Sequence, residues 1–178
     1  MRKTLFSLVL LCAMATGAWA QSAPDTATPA YPYVKGYLSF IIPWVTFSKN
    51  STTTEFQHST TIGFPVGLNI YYSKRFGFSY EITPSVVWTK PTGKEGMSKT
   101  GNLLFDPGPV FRLRHNINVI PRLAFETQGR YGFTPVLNKV YCKTRAADCW
   151  FSISFPARFG NSAPASIGAN LQIGFTFN

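Results

Sequence analysis

Ile62-Gly63-Phe64-Pro65-Val66-Gly67-Leu68-Asn69-Ile70-Tyr71-Tyr72 carries an apolar or aromatic residue at every even position. Its odd positions are small or polar, with Pro65 and Tyr71 as the exceptions. Successive side chains of a strand point to opposite faces. The stretch therefore reads as a strand with one greasy face and one face crowded with glycine and polar groups.

The same alternation recurs along the chain. Phe76, Phe78, Tyr80, Ile82, Val86 and Trp88 share a parity, with Gly77, Ser79, Glu81, Thr83 and Ser85 between them. Leu103, Phe105, Phe111 and Leu113 alternate with Asp106, Gly108 and Arg112, and Val119, Leu123 and Phe125 with Arg122, Glu126 and Gln128. Phe151, Ile153, Phe155 and Phe159 alternate with Ser152, Ser154 and Arg158. The last segment sets Ile167, Ala169, Leu171, Ile173, Phe175 and Phe177 against Ser166, Gly168, Asn170, Gln172, Gly174 and Thr176. A less regular first segment, 33–47, has Val34, Leu38, Phe40, Ile42 and Trp44 on one parity. No stretch repeats apolar residues at the three- and four-residue spacing of a helix.

Two all-β folds can use such strands. A secreted sandwich turns the greasy faces inward. A membrane barrel turns them outward and keeps polar residues in the lumen. The start of the chain bears on the choice. Arg2 and Lys3 precede an uncharged apolar run from Leu5 to Ala15, and Ala18-Trp19-Ala20 follows. That order predicts a cleaved secretory signal over 1–20. The run is shorter than the ~20 residues of a membrane-spanning helix. Residues 21–32, rich in Ala, Thr and Pro, are expected to be a flexible periplasmic leader. Residues 33–178 then form one domain. Its alternating stretches have the ~10-residue length of a tilted membrane strand. Aromatics near strand ends, among them Tyr33, Tyr37, Trp44, Tyr72, Trp88 and Trp150, suit an interfacial girdle. The expected fold is a closed antiparallel up-and-down transmembrane barrel.

Composition agrees with an exported chain. Only 13% of its 178 residues are charged and the formal net charge is +10. Loss of Arg2 and Lys3 leaves +8 (10 − 2). An exported basic protein meets lipid phosphates sooner than nucleic acid, and the charge also serves simply to keep loops soluble.

Link lengths set the strand number. Residues 73–75 and 114–117 are short links; 49–60 and 90–102 are longer and polar. Short periplasmic turns and long outer loops alternate in this way in outer-membrane barrels. Seven segments are clear, and a bacterial single-chain barrel needs an even number. The missing strand is placed at 136–143, with a periplasmic turn at 144–148 and an outer loop at 161–165. The alternative is one long outer loop over 132–149. Prolines 43, 65, 84, 107, 109, 121 and 156 fall inside the proposed strands and call for bulges or breaks, since proline cannot donate to a ladder.

The pattern resembles the small eight-stranded outer-membrane barrels, the class that includes OmpX and the membrane domain of OmpA. The resemblance covers 33–178, rests on Ala18-Trp19-Ala20 and on the final segment ending Phe175-Thr176-Phe177-Asn178, and is one of architecture. It implies that Phe175 and Phe177 are the signal read by the outer-membrane assembly machinery, although Asn178 following Phe177 departs from the pattern.

Inward parity places Glu81, Asp106, Arg112, Arg122, Glu126, Arg130 and Arg158 in the lumen, where charges must pair. The arginines are expected to bridge the three carboxylates in a polar plug, because an eight-stranded interior is just wide enough for side chains to fill it. A gated ion path is the alternative. Cys142 and Cys149 are expected to form a disulfide in an oxidising envelope. No metal or cofactor site is expected. Some barrels of this size are similar to lipid A-modifying enzymes, a deacylase or acyltransferase with a histidine and a serine at the outer rim. Here His58 and Ser59 are adjacent on a strand and point apart, although Glu55, Ser51 and Thr60 are near. Catalysis is therefore not expected. Lys49, Lys90, Lys94 and Lys99 could hold lipopolysaccharide phosphates. The sequence predicts a monomeric structural or surface-interaction protein of the outer membrane.

Overall fold

The computed structural model describes residues 30–49, 51–54, 59–89 and 98–177. The predicted signal over 1–20 lies outside them, as do Glu55, His58, Lys90, Lys94 and the side chains of Ser59 and Lys99. Of the predicted leader, 30–32 is described, and Tyr31 there packs its ring 5.3 Å from that of Tyr33.

Among the described residues eleven strand segments follow one another: β1 (Tyr33–Ser48), β2 (Ser51–Thr54), β3 (Ser59–Gly63), β4 (Val66–Tyr71), β5 (Phe76–Thr89), β6 (Ser98–Arg112), β7 (Ile117–Glu126), β8 (Tyr131–Lys143), β9 (Ala147–Ser154), β10 (Ala157–Phe159) and β11 (Ser166–Phe177). β2, β3 and β4 together form one stave beside β1, and β9 with β10 forms another between β8 and β11. That makes eight staves, every neighbouring pair antiparallel. The ring closes between the first and the last, from Tyr37↔Thr176 to Ser48↔Ser166. Closure of the ring pairs the first strand with the last, the edges an open sheet would expose. The strand placed at 136–143 is present and longer than expected, as β8. The long-loop alternative is thereby removed.

The links at 72–75, 113–116 and 144–146 lie at the same end of the ring as Tyr33 and Phe177; this is the turn end. The middle link holds His115 and Asn116 at φ 60° and 59°. The opposite, loop end has the links at 127–130 and 160–165.

Burial follows parity with the sense of a membrane barrel. Ile167 on the outside is 61% exposed, whereas Ser79 inside is 0% exposed. Val34, Leu38, Phe40, Leu68, Ile82, Leu123, Leu171 and Phe175 all face outward. Water would penalise such an apolar belt, and a hydrocarbon bilayer would not.

Pro84 stays in the unbroken β5–β6 register opposite Leu103, and the other six prolines expected inside strands are accommodated in three ways. Pro65 and Pro156 sit in the breaks between β3 and β4 and between β9 and β10, where Ser39 and Gly168 still donate their backbone N–H to the two proline carbonyls at 2.9 Å. Pro43 stands at the register shift of the closing pair. Pro107, Pro109 and Pro121 collect on one seam. The β6–β7 register runs through Phe105↔Phe125, lapses, and resumes unchanged at Phe111↔Val119, so Pro109 faces Pro121. The expected bulge is thus confined to Pro43. Along the seam the strands are closed by contact instead, which Gly108 permits: a Cβ there would come within 2.2 Å of the Pro121 carbonyl oxygen.

Candidate functional site: a lumen plug and the cavity beneath it

Glu81 on β5 and Arg122 on β7 meet across the lumen at 2.7 Å, with side chains only 3% and 5% exposed. Tyr37 on β1 donates its hydroxyl to Glu81 Oε2 at 2.9 Å. Arg122 Nη2 donates to that same hydroxyl at 3.0 Å and to Ser79 Oγ at 3.2 Å. Thr83 donates to Glu81 Oε1 at 3.3 Å. Gln172 on β11 donates to Ser39 Oγ at 2.8 Å and accepts from Ser152 Oγ at 3.1 Å. Small inward side chains make room for this crossing. A Cβ at Gly67 would lie 2.4 Å from the Tyr37 hydroxyl, and one at Gly174 would lie 2.5 Å from the Trp150 ring.

A second layer lies toward the loop end. Arg158 Nε donates to Glu126 Oε1 at 2.9 Å, and Asn102 donates to Glu126 Oε2 at 3.1 Å. Arg130 binds the Ser166 hydroxyl at 2.9 Å and the carbonyls of Arg158 and Pro164 at 3.3 Å.

The arginines therefore do not bridge all three carboxylates. Asp106 is buried beside Glu81 in the register, yet it joins no ion pair among the described residues and its Oδ1 has no hydrogen-bond partner. Arg122 is already committed to Glu81 and Arg158 to Glu126. Arg112 is drawn away toward the turn end, where Nη1 donates to the Tyr33 hydroxyl at 2.9 Å and the guanidinium lies 4.8 Å over the Tyr71 ring.

The lumen is also less filled than predicted. Below the plug a cavity of about 340 Å³ opens between Tyr71, Arg112 and Trp150 toward Lys74 and Lys143 at the turn end. Tyr33, Tyr37 and Trp150, expected in the interfacial girdle, face inward instead. Trp150 is 5% exposed and donates its indole N–H to Thr176 at 2.9 Å. Parity was the signal that could have found them: Tyr37 shares its face with Ser39, and Trp150 with Ser152 and Ser154.

Cys142 and Cys149 stand opposite one another across β8 and β9, but both are free thiols. The expected disulfide is not formed. The pair sits directly beside the register shift between Val140 and Cys142. Among the described residues no group of three or more side chains could hold a metal ion.

No protein-family model matches the chain, and no curated protein matches it. Among solved structures, the outer membrane protein OprG from Pseudomonas aeruginosa is similar at 10% identity, over 81% of this chain and 93% of that one, with a TM-score of 0.39. So slight a likeness carries no argument about this chain, whose barrel is established by its own closed ring of strand pairings.

Proposed function

We propose that the chain is a monomeric outer-membrane barrel, closed to ions by its plug, that serves as a structural or surface-interaction protein through its loop end. Its architecture is that of the OmpX-type and OmpA-type barrels. The turn end faces the periplasm, because short turns mark that side in such barrels. The apolar belt meets outer-membrane lipid, with lipopolysaccharide at the loop end. Phe175 and Phe177 on β11 serve the assembly machinery. Neither nucleic acid nor a cofactor has a part in this reading, and neither does enzymatic catalysis.

The observation that carries it is the Glu81–Arg122 pair, tied by Tyr37 into a layer that crosses the lumen. An ion would have to displace a desolvated pair whose members satisfy one another, and breaking such a pair is costly. Planar-bilayer recording of the purified barrel tests this. Only rare, brief conductance is expected, and a steady, large current would refute the closed lumen. Mass spectrometry of lipid A from cells with and without the protein should show one pattern; a difference would favour an enzyme.

A further inference from the structure

The cavity beneath the plug plays no part in closing the barrel, and its chemistry is of a different kind. We infer that it is a binding site for a phosphate ester with a small hydroxylated body, of the glycerol-phosphate class, entering from the turn end. The proposal stands independently of whether the plug conducts.

Charge gives the first reason. Lys35, Lys74, Arg112, Arg122 and Lys143 line the cavity against one carboxylate, Asp148; with Arg122 neutralised by Glu81, three positive charges remain in excess (5 − 1 − 1). Asp148 is already engaged by Lys35 at 3.5 Å. A neighbouring recess at the rim is formed by Lys74, Arg75, Arg112, Leu113 and Arg114, with no acid among them. Cations converging on a concave, low-dielectric wall focus the field on an anion.

Preorganisation gives the second. Arg112 is held by the Tyr33 hydroxyl and by the face of Tyr71. A guanidinium has five N–H donors, so most of them are left to grip phosphate oxygens in the paired geometry that suits arginine. Lys143 is steadied by the Asn116 side chain at 2.9 Å.

The deeper wall gives the third. Tyr71, Val110, Ile120 and Val136 form a buried apolar cluster there. Against it stands Asn69, 9% exposed, the polar side chain of this part of the cavity wall. A side-chain amide on an otherwise apolar wall offers a ligand hydroxyl its hydrogen-bonding partner. The volume of about 340 Å³ lies at the small end of ligand pockets.

The same headgroup chemistry comes from a free phosphorylated solute or from a phosphatidylglycerol of the facing leaflet. The full chain, purified and placed in phosphatidylcholine nanodiscs, is titrated with glycerol 3-phosphate while backbone amide resonances of 69–74 and 112–116 are followed. Saturable shifts that weaken at least tenfold in Lys74→Gln/Lys143→Gln support a free solute. These two lysines are exposed at the turn end, so the double variant keeps the fold, which the remaining resonances verify. Shifts at the same amides that arise only when phosphatidylglycerol replaces part of the phosphatidylcholine, and that vanish in the double variant, support the lipid source. Asn69→Ala should weaken either form of binding, with inorganic phosphate affected less than glycerol 3-phosphate. No saturable shift with either probe, or equal binding by the double variant, overturns the proposal.

Discussion

Removing the Glu81 carboxylate tests the plug most directly. In Glu81→Ala, Arg122 keeps its hydrogen bonds to Tyr37 and Ser79 but loses the partner at 2.7 Å. Breaking one side of a buried pair costs about 3–5 kcal/mol. Tyr37 loses its 2.9 Å acceptor at the same time, which places the expected loss in the upper part of that range. Asp106, buried on the adjacent strand opposite Glu81 with an unmatched oxygen, can turn part of its charge toward Arg122 and moves the expectation back to about 4 kcal/mol. With a urea dependence of about 2 kcal/mol per molar, the unfolding midpoint should fall by about 2 M. Tryptophan emission in phosphatidylcholine vesicles reports the transition, since Trp150 adjoins the plug, its ring 6.0 Å from that of Tyr37. Glu81→Met/Arg122→Met should recover most of the loss, because an apolar pair of similar volume replaces a charge pair at little cost. A loss below about 1 kcal/mol in the single variant would refute the reasoning. So would a double variant as unstable as the single one.

Other perturbations read other parts of the barrel. Gly67→Ala puts a Cβ 2.4 Å from the Tyr37 hydroxyl and from the Tyr80 carbonyl oxygen; the expected loss is about 1–3 kcal/mol from overpacking in the same urea titration, and no loss would mean that Tyr37 does not occupy that place. Leu171→Arg, on the lipid face near the middle of β11, should cost about 2–4 kcal/mol in vesicles; a cost near zero would argue against a bilayer around this belt. Alkylation without reductant should modify both Cys142 and Cys149, the exposed Cys142 first, as read by peptide mass; blocked thiols released by reductant would restore the disulfide.

Much of the barrel was legible because parity is a local property. Leu103, Phe105 and Phe111 face outward, and Asp106, Arg122 and Arg158 face the lumen, because each strand residue inherits its side from its neighbour. The sixth stave was legible only by counting, since Thr134, Val136, Asn138 and Val140 mix polar and apolar residues on the inward face. That mixture has a reason visible only in the structure: Val136 lines the cavity, and an apolar residue there is not an error of pattern.

The sequence by itself determined an eight-membered up-and-down ring with its greasy face outward, because alternation, link lengths and the even-number rule are all written along the chain. Only the tertiary structure decided which charges meet. Parity places Glu81, Asp106 and Arg122 in one lumen, but the stagger between staves pairs Arg122 with Glu81 and leaves Asp106 aside. It also sends Arg112 to Tyr33 and Tyr71, residues 79 and 41 positions away along the chain (112 − 33 and 112 − 71). Height within a barrel depends on register around the closed ring, a property of the whole ring that no single strand contains.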